Sequence, residues 1–386
     1  MRRGSADTKL APPRYGSASL ADLLPSAIAA ILGEEPAALD LGNATAVIVV
    51  VADGLGAHQL DRHADAAPFL TSQPTRIIDA PFPSTTATAL TTIGTGRPAG
   101  QHGIVGFTMG MPDETQPLNL LSWRIGLRGG GADARERYVP ETLQPHPTQL
   151  ERAQAAGIAT TAVLHPDFLD SGLTRAGLRG GERVAATGLA NTLTAAVAAG
   201  RRGSPALVYA HHGEIDSAGH AAGPGSDRWC DAVQEFDREL ERVADGLPSG
   251  ALLLVTADHG MLPIPEDEVF ELADHPQLAE GVRLLAGEPR VRHVYCRPGA
   301  TGDVAAAWRE VLGDRAIVAP RDAAIGRGWF GAVDPSVVPR IGDLLVVARV
   351  GTVVHHRVDP HHGRQAGQHG GLTKEELEVP LIRIGD

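Results

Sequence analysis

Cysteine and lysine are scarce in this chain of 386 residues. The two cysteines, Cys230 and Cys296, lie far apart and in no CxxC-type pattern, which excludes a disulfide framework and a thiolate metal site; both are expected to be buried and reduced. Lys9 and Lys374 are the only lysines. The basic residues are therefore nearly all arginine, a bias that goes with abundant alanine and glycine and carries no functional information. No run approaches the roughly 18 apolar residues of a membrane span. The N-terminus has Arg2 and Arg3 but then polar residues and prolines at 12 and 13, with no apolar stretch of the kind a secretion signal needs. A soluble, cytoplasmic protein with no membrane partner is the expectation. Positive charge is short as well: the net charge is -12 and the pI is near 5.7. Such a field disfavours bulk binding to nucleic acid or anionic membranes. A compact anionic substrate remains compatible where metal ions or clustered arginines reverse the sign inside one pocket.

What is present is the makings of a large core, with 43% hydrophobic and 21% charged residues. Ala46–Ala52 is a continuous, mostly β-branched run that fits a strand buried on both faces, and it ends in Asp53-Gly54-Leu55-Gly56. The same arrangement recurs at 205–210, ahead of Asp216, and at 251–257, ahead of Asp258-His259-Gly260. Helical patterns separate these runs, notably over 228–247. Strands alternating with helices predict an α/β fold with a mostly parallel central sheet flanked by helices, and each acidic residue falls at the carboxyl end of a strand, where such sheets bind ligands. Residues 1–20 read as a loose tail, with a short helix following over 20–32. Residues 108–145 read as an irregular flap or surface excursion. The catalytic core is expected over 21–265 and 341–386, with 266–340 a small inserted α+β, cap-like subdomain.

Five places can carry chemistry. Pro81 and Pro83 pin an extended lead-in, and Thr86 opens a segment that can wind as a helix to Gly94 or Gly96, so a hydroxyl sits where unpaired amides favour an anion. Read alone, a threonine there is an ordinary helix cap. Asp216 and His220, four apart, can aim oxygen and nitrogen ligands at one ion, a donor set that suits zinc. Asp258 and His259 are adjacent where a strand breaks at Gly260, so both can turn inward. Asp53 and the glycine-flanked His369 complete the set. The neighbouring His355, His356, His361 and His362, and likewise His211 and His212, read as chance exposed residues.

Taken in order, Ala52-Asp53-Gly54, Phe82-Pro83-Ser84-Thr85-Thr86 through Thr95-Gly96 and His102-Gly103-Ile104, Asp216-x3-His220-x2-Gly223-Pro224, Asp258-His259-Gly260 and His369-Gly370 resemble the alkaline phosphatase superfamily, most of all its nucleotide pyrophosphatase/phosphodiesterase branch. The matches span nearly the whole chain. The resemblance implies an alkaline-phosphatase-like fold and two divalent metal ions, expected to be zinc. Asp53, Thr86, Asp258 and His259 would hold the ion that activates the nucleophile, and Asp216, His220 and His369 the other. Thr86 would be the nucleophile and become phosphothreonine, with Ser84 standing where the family's first threonine falls. The diesterase pattern has an asparagine shortly after His-Gly-Ile, whereas this chain has Gly106-Phe107. Phe107 is expected to pack against an aryl or nucleoside group of the substrate, the alternative being core packing.

The leading expectation is a hydrolase of phosphodiester or nucleotide pyrophosphate bonds, acting on a small-molecule phosphate ester or nucleotide. A phosphomonoesterase, a phosphonate hydrolase or a phosphosugar mutase on the same metal core are the alternatives. A sulfatase is disfavoured, because no cysteine lies in a Cys-x-Pro-x-Arg context. From another class, a metal-stabilised binding protein that has lost catalysis is opposed by the intact nucleophile and ligand candidates. The oligomeric state is left open.

Overall fold

The computed structural model describes residues 10–126, 131–356 and 365–385. Residues 1–9 of the expected tail, and His361 and His362, lie outside the described residues. In chain order the longer strands are β1 (Ala46–Ala52), β2 (Thr75–Asp79), β3 (Ala159–Leu164), β4 (Glu182–Ala185), β5 (Ala206–His212), β6 (Ala251–Thr256), β7 (Val282–Glu288), β8 (Val291–Cys296), β9 (Ala316–Pro320), β10 (Leu344–Ala348) and β11 (Glu378–Ile384). The longer helices are α1 (Leu23–Leu32), α2 (Thr86–Thr95), α3 (Leu189–Arg202), α4 (Glu214–Ala222), α5 (Asp227–Ala244) and α6 (Thr301–Leu312).

Seven strands make the main sheet in the order β2-β11-β6-β1-β5-β3-β4. From β6 to β4 every pairing is parallel; β11 runs antiparallel to both β2 and β6. The α/β class and the mainly parallel sheet are thus as the sequence pattern predicts. β1 and β6 are buried at every residue, which is why their sequences show no polar alternation. α5 instead buries one stripe, Trp229, Val233, Phe236, Leu240 and Val243, at helical spacing. Val51 pairs with Thr256 and Ala52 with His212, so the chain leaves β1, β5 and β6 at one level. Among the described residues, no helix is long and apolar enough to cross a membrane.

The second sheet, β7-β8-β10-β9, is antiparallel throughout, which makes this unit α+β. α6 covers one face, where Val304, Trp308 and Leu312 meet Val294, Leu344 and Val346 in a separate core. The other face presents Val291, Leu345 and Val347 to the main core. β10 corrects the boundary expected at 340/341: its apolar run belongs to this sheet and not to the main one. Period-two alternation sends Leu344 and Val346 one way and Leu345 and Val347 the other, so the strand is buried on both faces and reads like a main-sheet strand.

Two further expectations are corrected. Residues 10–20 are no loose tail: Arg14 binds the Asp79 carboxylate through Nε at 2.9 Å and Nη2 at 2.6 Å, and the Phe82 amide donates to the Tyr15 hydroxyl at 3.2 Å. Nor is the segment expected as an irregular flap or surface excursion over 108–145 without regular structure. Short strands at Thr108–Met109, Leu118–Asn119 and Arg124–Ile125 pair with one another, and Met109, Leu118, Leu120 and Trp123 are buried in the main core.

The second sheet is fastened to the first unit by a buried ion pair. Arg290, in the β7–β8 turn, meets Glu376 in a fork, Nε to Oε1 at 2.8 Å and Nη2 to Oε2 at 2.9 Å, and neither residue has any exposed surface. Glu376 also accepts from the Gly371 amide and the Thr373 hydroxyl. Burial pushes the Glu376 carboxyl up, but the Arg290 charge and these donors outweigh it and hold the group below its ordinary value. Arg290→Ala strands a buried carboxylate and should cost ~3–5 kcal/mol in urea unfolding. An unchanged unfolding midpoint for Arg290→Ala would refute the assignment.

Candidate metal centre

Asp53 follows β1 directly, and Asp258-His259 follow β6. Gly54 turns the chain with φ 76°, and its amide donates to Asp258 Oδ1 at 3.1 Å. A Cβ at Gly54 would lie 3.0 Å from the Asp216 backbone, so this position needs glycine for both the angle and the space. Asp216 and His220 occupy one face of α4, with Oδ1 and Nε2 3.4 Å apart. His369 arrives from the loop before β11 and brings its Nε2 to 3.2 Å from His220 Nε2. Asp258 Oδ2 and Asp53 Oδ1 lie 3.3 and 3.5 Å from His259 Nε2. Asp53, Asp216, His220, Asp258, His259 and His369 are therefore all brought together.

Thr86 is the first residue of α2, and its Oγ1 lies 3.3 Å from His259 Nε2. Ser84, Thr85 and Thr88 are buried, whereas Thr86 is half-buried. Thr85 occupies the N-cap position but makes no side-chain cap bond. The first-turn amides thus keep their capacity to receive an anion. Phe107 is half-buried; its carbonyl accepts from the Leu120 amide at 3.0 Å.

The donor atoms show what the cluster can hold. Each histidine has its Nδ1 against a backbone carbonyl: His220 to Gly367 at 2.8 Å, His369 to Ser84 at 2.9 Å, His259 to Gly260 at 3.1 Å. A carbonyl only accepts, so Nδ1 carries a proton in all three and the Nε2 atoms face inward. Asp53 Oδ1, Asp216 Oδ1 and Asp258 Oδ2 are buried with no hydrogen-bond partner among the described residues. These imidazole nitrogens converge with three carboxylate oxygens that have no partner among the described residues, an arrangement that fits cations. Ligand atoms of Asp216, His220 and His369 lie within 4.8 Å of one another, as do those of Asp53, Asp216 and His259. Asp216 is common to both sets. Mixed nitrogen and oxygen donors of this kind suit zinc better than magnesium.

The electrostatics follow the same logic. Burial, then the neighbouring Asp258 and Asp216, push Asp53 well above the usual carboxylate range. Burial, then His220, lower His259 to about 3, and burial with His259 and His220 keeps His369 well below its ordinary value. Burial thus favours the neutral forms of His259 and His369, whose Nε2 atoms can act as ligands.

His211, set aside from the sequence as a chance exposed residue, belongs here: its Nε2 is 3.1 Å from Asp53 Oδ2 and fixes that carboxylate from behind. In β5 His211 pairs with Val51, two residues before Asp53, a register that the local sequence does not reveal. His212 instead stacks on Phe236, and His355 pairs with Glu271, away from the cluster.

With this geometry in place, comparison with known proteins is informative. A family model described as type I phosphodiesterase / nucleotide pyrophosphatase matches residues 47–372. The phosphopentomutase of Anaeromyxobacter dehalogenans strain 2CP-C is 29% identical over 179 residues, 46% of this chain and 44% of that protein. Ectonucleotide pyrophosphatase/phosphodiesterase family member 7 of Mus musculus is 24% identical over 200 residues, 46% of this chain and 40% of that one. The chain spans less than half the length of these curated relatives. Two solved structures share the fold: murine ectonucleotide pyrophosphatase/phosphodiesterase 5, with TM-score 0.67 and 20% identity over 88% of both chains, and phosphonoacetate hydrolase from Sinorhizobium meliloti 1021 with phosphonoformate, with TM-score 0.67 and 21% identity over 89% of this chain and 90% of that one.

The Asp216 carboxyl is pushed up to about 6, by burial first, with His220 drawing it down and Asp258 adding to the rise. A carboxyl that holds its proton more tightly when folded than when unfolded removes stability as pH rises between the two values, from about 3.9 upward. The metal-free protein should therefore lose stability relative to Asp216→Asn as pH rises from 4 to about 6, and the difference should level off above that. Melting temperatures of both proteins in excess chelator test this, and a parent that gains on the variant over the window would contradict it.

Proposed function

Because the chain belongs to the type I phosphodiesterase / nucleotide pyrophosphatase family, we propose that it is a two-metal hydrolase of phosphodiester or nucleotide pyrophosphate bonds, working through a phosphothreonine on Thr86. The observation that carries this reading is the convergence of unpaired carboxylate oxygens and imidazole nitrogens on one half-buried threonine at a helix start. Asp53, Thr86, Asp258 and His259 would hold one ion and Asp216, His220 and His369 the other, with the Asp216 oxygen close to both sets. Bound ions would lower the pKa of the Thr86 hydroxyl and offset charge on the departing oxygen.

The chain's own groups do the rest. The amides at the start of α2 receive the anionic phosphoryl oxygens. Thr86 Oγ, its proton given up to water, forms a bond to phosphorus while the bond to the leaving oxygen breaks; the leaving oxygen keeps that electron pair and takes up a proton from water. Water then cleaves the phosphothreonine, which restores the hydroxyl and releases the phosphorylated product. His211 keeps Asp53 oriented throughout. Phe107 packs against an aryl or nucleoside group, and the unit carrying β7 to β10 acts as a cap beside the site.

The likeness to phosphopentomutases favours a second reading, transfer of the phosphoryl group within a sugar phosphate. It differs in outcome, since no inorganic phosphate or alcohol is released.

A nitrophenyl ester of a nucleoside monophosphate should be cleaved with higher kcat/KM than nitrophenyl phosphate. Chelator should abolish turnover, and zinc should restore it better than magnesium. Thr86→Ala should lose at least about a thousandfold in kcat/KM with the fold intact, while Thr88→Ala stays within the same order of magnitude as the parent. Full turnover in excess chelator, or an active Thr86→Ala, would refute the proposal; interconversion of a sugar phosphate without hydrolysis would favour the second reading.

A further inference from the structure

Ser84, two residues before Thr86, is bonded to each of His369, Gly370 and Gly371. Its amide donates to the Gly370 carbonyl at 3.2 Å, and its carbonyl accepts from His369 Nδ1 at 2.9 Å. The side chain closes the set: Oγ donates to the Gly371 carbonyl at 2.8 Å and accepts from the Gly370 amide at 3.2 Å. Ser84 has no exposed surface. The backbone it grips is one that cannot hold itself. Gly370 and Gly371 have no side chains to pack, and Gly370 has φ 125°, a conformation that favours glycine. A Cβ on Gly370 would also come within 2.8 Å of Glu288 Cγ and Cδ, so a larger residue could not stiffen the loop. Order after His369 has to come from outside, and a hydroxyl, which donates and accepts at once, supplies it to both glycines.

We propose that Ser84 is a positioning residue of the metal centre: its hydroxyl pins the Gly370-Gly371 backbone to the lead-in of Thr86 and so fixes His369 Nε2 beside Asp216 and His220. This rests on the reading of Asp216, His220 and His369 as one metal set. The ring bond uses the Ser84 carbonyl and survives any side-chain change there; the hydroxyl acts one step back, on the chain that carries the ring. Its effect is therefore one-sided. Asp53, Asp258 and His259 are placed by the ends of β1 and β6, and the partners of the Ser84 hydroxyl are Gly370 and Gly371. Loss of the hydroxyl loosens the set that contains His369 and spares the other.

The test is zinc titration of the metal-free full chain by calorimetry, with melting temperature recorded alongside, for the parent, Ser84→Ala, Ser84→Thr, His369→Ala and the double variant Ser84→Ala/His369→Ala. Ser84→Ala leaves the Gly370 amide and the Gly371 carbonyl without their partner, which lowers the melting temperature without preventing folding. It should weaken one of two zinc sites by at least about tenfold and leave the other near the parent, while Ser84→Thr, which keeps the hydroxyl, binds as the parent does. On the His369→Ala background the same Ser84 change should have little further effect on zinc affinity, because the ligand it positions is gone. Parent-like affinities at both sites in Ser84→Ala, an equal loss at both, a Ser84→Thr as impaired as Ser84→Ala, or an undiminished loss on the His369→Ala background would each overturn the proposal and leave Ser84 a merely structural residue. A His369→Ala that binds zinc as tightly as the parent is a different result: it would overturn the metal set itself, and the role of Ser84 with it.

Discussion

Three carboxylates gathered in a buried space are the constraint on which this molecule is organised. Two unit charges 4 Å apart at an effective dielectric of 20 repel by about 4 kcal/mol. Asp53, Asp216 and Asp258 are held together against such repulsion by backbone geometry. Asp53 and Asp258 leave neighbouring parallel strands at one level, and Gly54 lets α4 bring Asp216 against them. Backbone carbonyls take the Nδ1 protons of three histidines, so those rings turn their Nε2 atoms into the same space. Such a cluster, with its carboxylate oxygens unpartnered among the described residues, fits cations, and bound cations would let an acidic protein accept an anionic ester.

The second sheet is coupled to that centre and not merely attached beside it. Ser84, two residues before Thr86, accepts the His369 ring proton on its carbonyl, donates its hydroxyl to Gly371 at 2.8 Å and accepts from the Gly370 amide. Gly371 donates to Glu376, and Glu376 is paired with Arg290 in the β7–β8 turn. One network therefore joins the lead-in to Thr86, the loop carrying His369 and the turn that carries Arg290. A shift of the second sheet would disturb the His369 loop through these bonds.

Much of this was legible in the sequence, for physical reasons. Strands buried on both faces lose polar alternation, so β1 and β6 stood out, and an acid placed directly after such a run has to sit at the sheet's carboxyl edge. β10 misled for the same reason, being buried between two cores instead of two helix layers. His211 escaped notice because its partnership with Asp53 depends on strand register, which only the folded sheet fixes. Ser84 reads locally as one more hydroxyl in the lead-in to Thr86. Its hold on the His369 loop spans 285 positions and exists only in the fold. The order of residues 10–20 was likewise hidden, because it rests on Arg14 reaching Asp79 across 65 positions.

The central claim is that Thr86 carries the phosphoryl group between two chemical steps. Acid quenching of the zinc-loaded protein during turnover of a nucleoside diester, followed by peptide mass spectrometry, tests it directly. The account predicts a phosphoryl adduct on Thr86 that forms during turnover and decays as substrate is exhausted. Product release with no phosphorylated peptide at any quench time, or the adduct on a different residue, would contradict it.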